Sequence, residues 1–146
     1  MIKYLSVVSF ILITIGNIYA QQENNNLKIQ YVECRGNNLS IALPADFKGP
    51  KYFNYEDGTI IDFYTPDTCV VSMLCGESGE LKLDSTYQLV NTQPIGASGK
   101  KITYYSKALN RYARKDYLEE YLIMYDRANV ARKNELDKVF DKLETK

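Results

Sequence analysis

Residues 52–75 read YFNYEDGTIIDFYTPDTCVVSMLC, and this stretch decides the fold class. Tyr52–Tyr55 and Thr59–Tyr64 are rich in aromatic and β-branched residues, which favour strands. Asp57-Gly58 lies between them, and Asp-Gly is among the strongest short-range signals for a β-hairpin. Pro66 ends the second run because proline cannot donate a hydrogen bond to a sheet. The stretch therefore predicts antiparallel strands joined by tight turns.

Strand patterns continue on both sides of this hairpin. Thr68–Cys75 is the most apolar run and predicts a strand at the centre of the sheet. Upstream, Lys28–Cys34 and Leu39–Leu43 alternate around the turn-forming residues 35–38, so they predict a first hairpin. Downstream, Glu80–Leu83 predicts a short further strand.

The region after residue 84 leaves alternatives open. Thr92–Lys100 contains a proline and two glycines, so it predicts a loop that is either a flexible functional segment or a plain connector. Lys101–Leu109 and Tyr117–Tyr125 favour two long strands because they are rich in isoleucine and tyrosine. Residues 106–121 also fit an amphipathic helix.

The last element is a helix. Asn129 is a suitable N-cap residue, and apolar residues then recur at helical spacing. These apolar residues are Leu136, Val139, Phe140 and Leu143. The chain thus predicts an α+β fold, a mostly antiparallel sheet built as a meander of hairpins with the C-terminal helix packed on one face.

The N-terminus predicts export from a bacterial cell. Residues 1–20 have a basic start, an apolar core and a small residue, Ala20, before a polar stretch, which is the pattern of a cleaved signal peptide. The apolar core is shorter than the roughly 18–20 residues that span a bilayer, so no stable membrane anchor is expected after cleavage. We expect residues 21–27 to form a flexible polar leader and residues 28–146 a single domain in the periplasm or outside the cell.

The three cysteines predict one disulfide and one spare thiol in an oxidising compartment. Cys69 and Cys75 on one strand would lie roughly 20 Å apart, too far for a disulfide. The sequence therefore pairs Cys34 with either Cys69 or Cys75.

The composition disfavours catalysis. Histidine is absent, so neither a Ser-His nor a Cys-His pair can activate a nucleophile. Paired carboxylates, Asp62 with Asp67 or Glu119 with Glu120, are the remaining route to acid–base chemistry, and the two glutamates would face opposite ways on a strand. We assign no catalytic residue, no metal ligand and no cofactor.

A basic strip with interleaved tyrosines is the candidate binding site. The chain has 18 basic and 18 acidic residues, and this balance disfavours a nucleic-acid partner. Between residues 100 and 115, however, there is no acidic residue. The strip consists of Lys100, Lys101, Tyr104, Tyr105, Lys107, Arg111, Tyr112, Arg114 and Lys115. It predicts contact with another protein or an anionic surface, and charge reversal at Arg111, Arg114 and Lys115 is expected to leave the fold intact.

These observations favour an exported, non-catalytic binding domain, for example an immunity-type or accessory protein. The first alternative is a periplasmic protein that holds a small ligand or lipid between the sheet and the C-terminal helix. The second is a small hydrolase that uses carboxylates, which requires two of them to converge in a cleft.

Overall fold

The computed structural model describes residues 26–77 and 80–143, which form nine β-strands and one α-helix. The strands are β1 (Leu27–Cys34), β2 (Asn37–Pro44), β3 (Lys48–Tyr55), β4 (Gly58–Tyr64), β5 (Val70–Gly76), β6 (Gln88–Ile95), β7 (Gly99–Ser106), β8 (Arg111–Tyr117) and β9 (Leu122–Ala128). The helix α1 spans Val130–Leu143. The predicted α+β class is confirmed. The predicted signal peptide, and the leader as far as residue 25, lie outside the described residues.

All strand pairs are antiparallel. Seven strands form one sheet in the order β3-β4-β5-β9-β8-β7-β6, and β1 pairs with β2 in a separate hairpin. The apolar strand β5 lies inside the large sheet, next to the central strand β9. The hairpin and α1 pack on one face of the large sheet, which we call the inner face, and the opposite face is the outer face.

The core lies between these two layers. Ile61, Phe63, Val71, Met73, Ile123 and Tyr125 point from the large sheet into one apolar cluster. Val32, Ile41 and Leu43 enter it from the hairpin, and Leu136, Val139 and Phe140 from the helix. The period-2 and helical patterns of the sequence thus converge on a single buried cluster.

The helix begins where the sequence predicts. The side-chain oxygen Oδ1 of Asn129 accepts a hydrogen bond from the Arg132 backbone N–H at 2.9 Å, which caps the first turn. Phe140 lies edge-on to Tyr125 of β9, with ring centroids 5.3 Å apart. The predicted packing of the helix on one face of the sheet is confirmed.

Several element boundaries differ from the predictions. The predicted loop at 92–100 is a hairpin, because β6 extends to Ile95 and β7 starts at Gly99. Pro94 is tolerated there since β6 is an edge strand. The region 101–125 forms parts of three strands, with an additional turn closed by a hydrogen bond from the Leu118 N–H to the Tyr121 carbonyl.

The predicted strand at 80–83 is wrong. This segment has no regular structure and belongs to the connection from β5 to β6, which crosses the outer face of the sheet. Leu81 is buried there against Leu74 and Met124. Its apolar residues therefore serve packing and not strand pairing.

The disulfide joins the two layers of the fold. Cys34 at the end of β1 bonds to Cys75 of β5, with Cα atoms 5.4 Å apart, while Cys69 is a free, buried cysteine. One of the two predicted pairings is thus confirmed. A disulfide is compatible with an exported protein.

Thr68 has a backbone conformation that suits glycine better than threonine. Its φ is 71°, in the left-handed region that is unfavourable for a β-branched residue. Thr68 sits in the turn between β4 and β5, where its N–H donates to the Thr65 carbonyl. We expect Thr68→Gly to raise the free energy of unfolding by about 1 kcal/mol in urea titrations. Thr68→Ala retains the Cβ atom and should raise it less; an equal gain in both variants would contradict the backbone explanation.

Candidate functional site

Successive side chains along a strand point to opposite faces of the sheet, so the basic strip is divided between the two faces. In β7 and β8, the cross-strand pair Lys101 and Asp116 faces inward, and the adjacent pair Lys100 and Tyr117 faces outward. The inward set comprises Lys101, Tyr105, Tyr112 and Arg114; the outward set comprises Lys100, Tyr104, Arg111 and Lys115. Lys107 lies in the turn between the strands. The strip is therefore not one continuous surface.

Arg114 is the centre of the inward set. Its Nε and Nη2 donate to the two carboxylate oxygens of Asp116, each at 2.7 Å, and both side chains are buried. Its Nη1 lies 3.2 Å from Asp137 and 2.8 Å from Asp141 of the helix. Burial opposes the charge of Arg114, but the hydrogen bonds and charges of Asp116 and Asp141 raise the pKa of its guanidinium above the usual value.

Neighbouring groups extend this cluster along the helix. The Tyr125 hydroxyl donates to Asp137 at 2.8 Å, and Lys133 forms an ion pair with Asp137 at 2.7 Å. Lys101 forms an ion pair with Asp141 at 3.1 Å. Burial and the charge of Asp137 raise the pKa of the Tyr125 hydroxyl. The inward cations of β7 and β8 thus attach the helix to the sheet.

Charge reversal was expected to be tolerated because the three residues were predicted to lie on the surface, and this surface position is wrong for two of them. Arg114 is 1% exposed and Lys115 is 8% exposed. Lys115 points outward but is covered, and burial lowers the pKa of its ammonium group, with the charge of Glu80 acting in the opposite direction. A carboxylate at either position would be a buried charge beside apolar or acidic neighbours, which is strongly destabilising. Arg111 is more exposed and remains a suitable position for reversal.

The remaining cations form what we call the outer basic-aromatic surface. The Lys100 ammonium lies 4.7 Å from the centroid of the Tyr117 ring, a cation–π contact. Tyr104 lies four residues beyond Lys100 on the same face of β7. Burial, followed by the influence of Tyr117, raises the pKa of its hydroxyl. This surface consists of Lys100, Tyr104, Lys107, Arg111 and Tyr117. Tyr117 was missed from the sequence because its cross-strand partner Lys100 is 17 positions away in the chain.

The proposed ligand space between sheet and helix is occupied by side chains. Leu136 and Phe140 are fully buried there, and Val139 is 6% exposed. The Arg114 guanidinium lies 5.4 Å from the centroid of the Phe140 ring, so the polar cluster packs directly against the apolar one. A ligand carrier of the predicted kind requires an apolar cavity at this place, where the structure has packed side chains.

A groove of about 620 Å³ lies elsewhere, at one end of the large sheet. The turns 96–98 and 118–121, the start of β2 and Leu143 form its walls. Glu119 and Glu120 both line it, because they lie in a turn and not on a strand, where they would face opposite ways. We call this feature the end groove.

The other carboxylate pair is held by separate partners. Asp62 accepts a hydrogen bond from the Tyr64 hydroxyl at 3.1 Å, and its second oxygen is buried without a hydrogen-bond partner among the described residues. Asp67 accepts from the Thr65 hydroxyl and lies 3.8 Å from Arg132 of the helix. Each carboxylate thus has its own structural partner.

Within residues 26–77 and 80–143, no group of three or more histidine, cysteine, aspartate or glutamate side chains is placed to hold a metal ion. The helix in this part of the chain lacks the length and apolarity to cross a membrane. Comparison of the chain with protein-family models, with curated proteins and with solved structures finds no match.

Proposed function

We propose that this chain is an exported, non-catalytic binding domain whose ligand is another protein with an acidic surface. The binding site is the outer basic-aromatic surface. The observation that most supports this proposal is that the cations of the basic strip fall into two groups, one paired with helix carboxylates and one not. Lys101 and Arg114 attach the helix to the sheet, whereas Lys100, Lys107 and Arg111 form no ion pair with a described carboxylate.

Exposed cations beside aromatic rings suit recognition of an acidic protein. Tyrosine and arginine are enriched at protein interfaces, since each combines a large contact area with directional hydrogen bonds. Complementary charge also accelerates the encounter of the two proteins. An immunity-type protein or an accessory subunit is a role of this kind.

Export is the second part of the proposal. It is supported by the pattern of residues 1–20 and by the disulfide that links β1 to β5. A binding domain held by a disulfide between its two layers is suited to the periplasm or the extracellular medium.

A second candidate function is suggested by the end groove. A space of about 620 Å³ is within the range of small-ligand sites, and Glu119 and Glu120 would favour a cationic or hydroxylated ligand. In this second candidate function, the ligand binds at the end of the sheet and not between the sheet and the helix.

The proposal is tested by affinity capture from the envelope and medium of the producing organism, with residues 21–146 as bait. We expect a stoichiometric protein partner, and we expect the double variant Lys100→Glu/Arg111→Glu to weaken its binding by about tenfold or more. The matched control is Lys28→Glu/Lys82→Glu, which reverses two exposed lysines outside this surface. Equal capture by both variants would rule out the outer basic-aromatic surface, and an empty capture with a small molecule released on denaturation would favour the end groove.

A further inference from the structure

The carboxylates of the end groove have no partner in the described part of the chain. Glu119 and Glu120 are both exposed, and neither side chain forms an ion pair or a hydrogen bond with the described residues. The helix carboxylates Asp137 and Asp141, in contrast, are paired with Arg114. The two glutamates therefore bring charge to the groove that the fold does not use for an internal ion pair.

The groove lining contains no cation that could neutralise these carboxylates. Two cations close to the groove have other partners. Lys100 follows the lining residue Gly99, but its ammonium lies 4.7 Å from the centroid of the Tyr117 ring. Arg35 lines a second, adjoining space of about 210 Å³, and its guanidinium lies 3.7 Å from the Glu77 carboxylate. The end groove is thus an acidic site whose charge is not compensated.

The turn that carries the two glutamates borders both spaces. Glu119 and Glu120 line the end groove of about 620 Å³ and also the adjoining space of about 210 Å³. A ligand can therefore reach the two carboxylates from either side of the turn 118–121. Because the glutamates are neighbours in one turn, a single charged group of the ligand can interact with both.

The other walls of the end groove are largely apolar. They come from the hairpin, from the end of β6, from the turn 118–121 and from the end of the helix, so all parts of the fold meet at this site. Contact with such walls is favourable for a methylene chain, since burial of apolar surface removes it from water. The apolar and aromatic residues of the lining are Leu39, Ile95, Leu118, Tyr121 and Leu143.

We propose that the end groove binds a protonated alkylamine, with its ammonium group beside Glu119 and Glu120 and its methylene chain on the apolar walls. This inference rests on the second candidate function and narrows its ligand to one chemical class. A primary amine is charged at neutral pH and has three hydrogen-bond donors, so it matches two unpaired carboxylates. An uncharged polyol leaves the two negative charges uncompensated. The class includes free diamines and the lysine side chain of a peptide.

The proposal is tested by NMR titration of the exported product of the full chain at physiological salt. The two probes are diaminopentane and pentanediol, which have an amine or a hydroxyl at each end of the same carbon chain. We expect diaminopentane to shift the backbone amide signals of the turns 96–98 and 118–121. Pentanediol should bind about tenfold more weakly or less, because it has no charge for the carboxylates to attract.

Two variants locate the effect. Glu119→Gln/Glu120→Gln removes both charges at nearly constant size and should weaken the binding of diaminopentane by about tenfold or more. The matched control, Glu56→Gln/Asp57→Asn, neutralises two adjacent exposed carboxylates in the turn between β3 and β4, outside the groove lining. This control should bind diaminopentane as the native chain does.

A third probe, the amide of Nα-acetyl-lysine, distinguishes the two sources of the amine. Tighter binding of diaminopentane identifies a free diamine as the ligand, and tighter binding of the lysine derivative identifies a peptide side chain. The proposal is overturned if neither amine shifts the two turns at millimolar concentration, or if Glu119→Gln/Glu120→Gln binds diaminopentane as tightly as the native chain.

Equal binding of pentanediol and diaminopentane also overturns the proposal, but it leaves the end groove as a small-ligand site. Capture of an acidic protein is a separate measurement, since Glu119→Gln/Glu120→Gln keeps every residue of the outer basic-aromatic surface. Failure of this inference is therefore distinguishable from failure of either proposed function.

Discussion

Arg114→Met is expected to lower the free energy of unfolding by about 3–5 kcal/mol. The substitution removes the cation that bonds both oxygens of Asp116, a carboxylate that is 1% exposed. Asp116 is then a buried charge without its bidentate partner, and the helix carboxylates Asp137 and Asp141 lose their contact with Arg114. Urea titration monitored by circular dichroism gives the change directly.

Two further variants separate charge from packing. Arg114→Met/Asp116→Leu removes both members of the buried pair and should recover most of the lost stability, because an apolar pair of similar volume needs no compensating charge. Arg111→Met, in the same strand but more exposed, should change stability by about 0.5 kcal/mol or less. A small effect of Arg114→Met would show that Asp116 finds other partners.

Loss of the disulfide is expected to cost about 4 kcal/mol. Cys34 and Cys75 are 41 positions apart, and a cross-link that closes a loop of this length restricts the unfolded chain by about that amount. The double variant Cys34→Ala/Cys75→Ala, compared with the native chain in urea, measures it. The disulfide also fixes the hairpin β1–β2 to β5. In the variant we therefore expect the hairpin to detach first and to expose the part of the core cluster that it covers.

Cys69→Ala is the control for the disulfide variant. Cys69 is fully buried, so its substitution should cost about 1 kcal/mol through lost packing while the disulfide remains. Burial raises the pKa of the Cys69 thiol to about 12, so a thiol reagent should modify no cysteine of the folded native chain at neutral pH. A modified thiol in the folded state, or equal losses in the two variants, would contradict this assignment.

Local patterns in the sequence predicted most of the secondary structure. The hairpins around residues 35–38 and 56–58, the buried face of Cys69, Val71, Met73 and Cys75, and the Asn129 cap all depend on residues close together in the chain. The predictions failed where tertiary context decides. Pro94 indicated a loop, but the strand is at the edge of the sheet and tolerates it.

The sequence by itself determined that this chain forms antiparallel hairpins with a C-terminal helix, because turn chemistry and apolar periodicity act over a few residues. It also limited the disulfide to two pairings through the reach of a strand. Only the tertiary structure decided that Cys34 bonds to Cys75, and that Arg114 attaches the helix while Lys100 faces outward. These outcomes depend on which strands are neighbours in the sheet and on which face the helix packs. Such contacts join residues far apart in the chain, so no local sequence pattern predicts them.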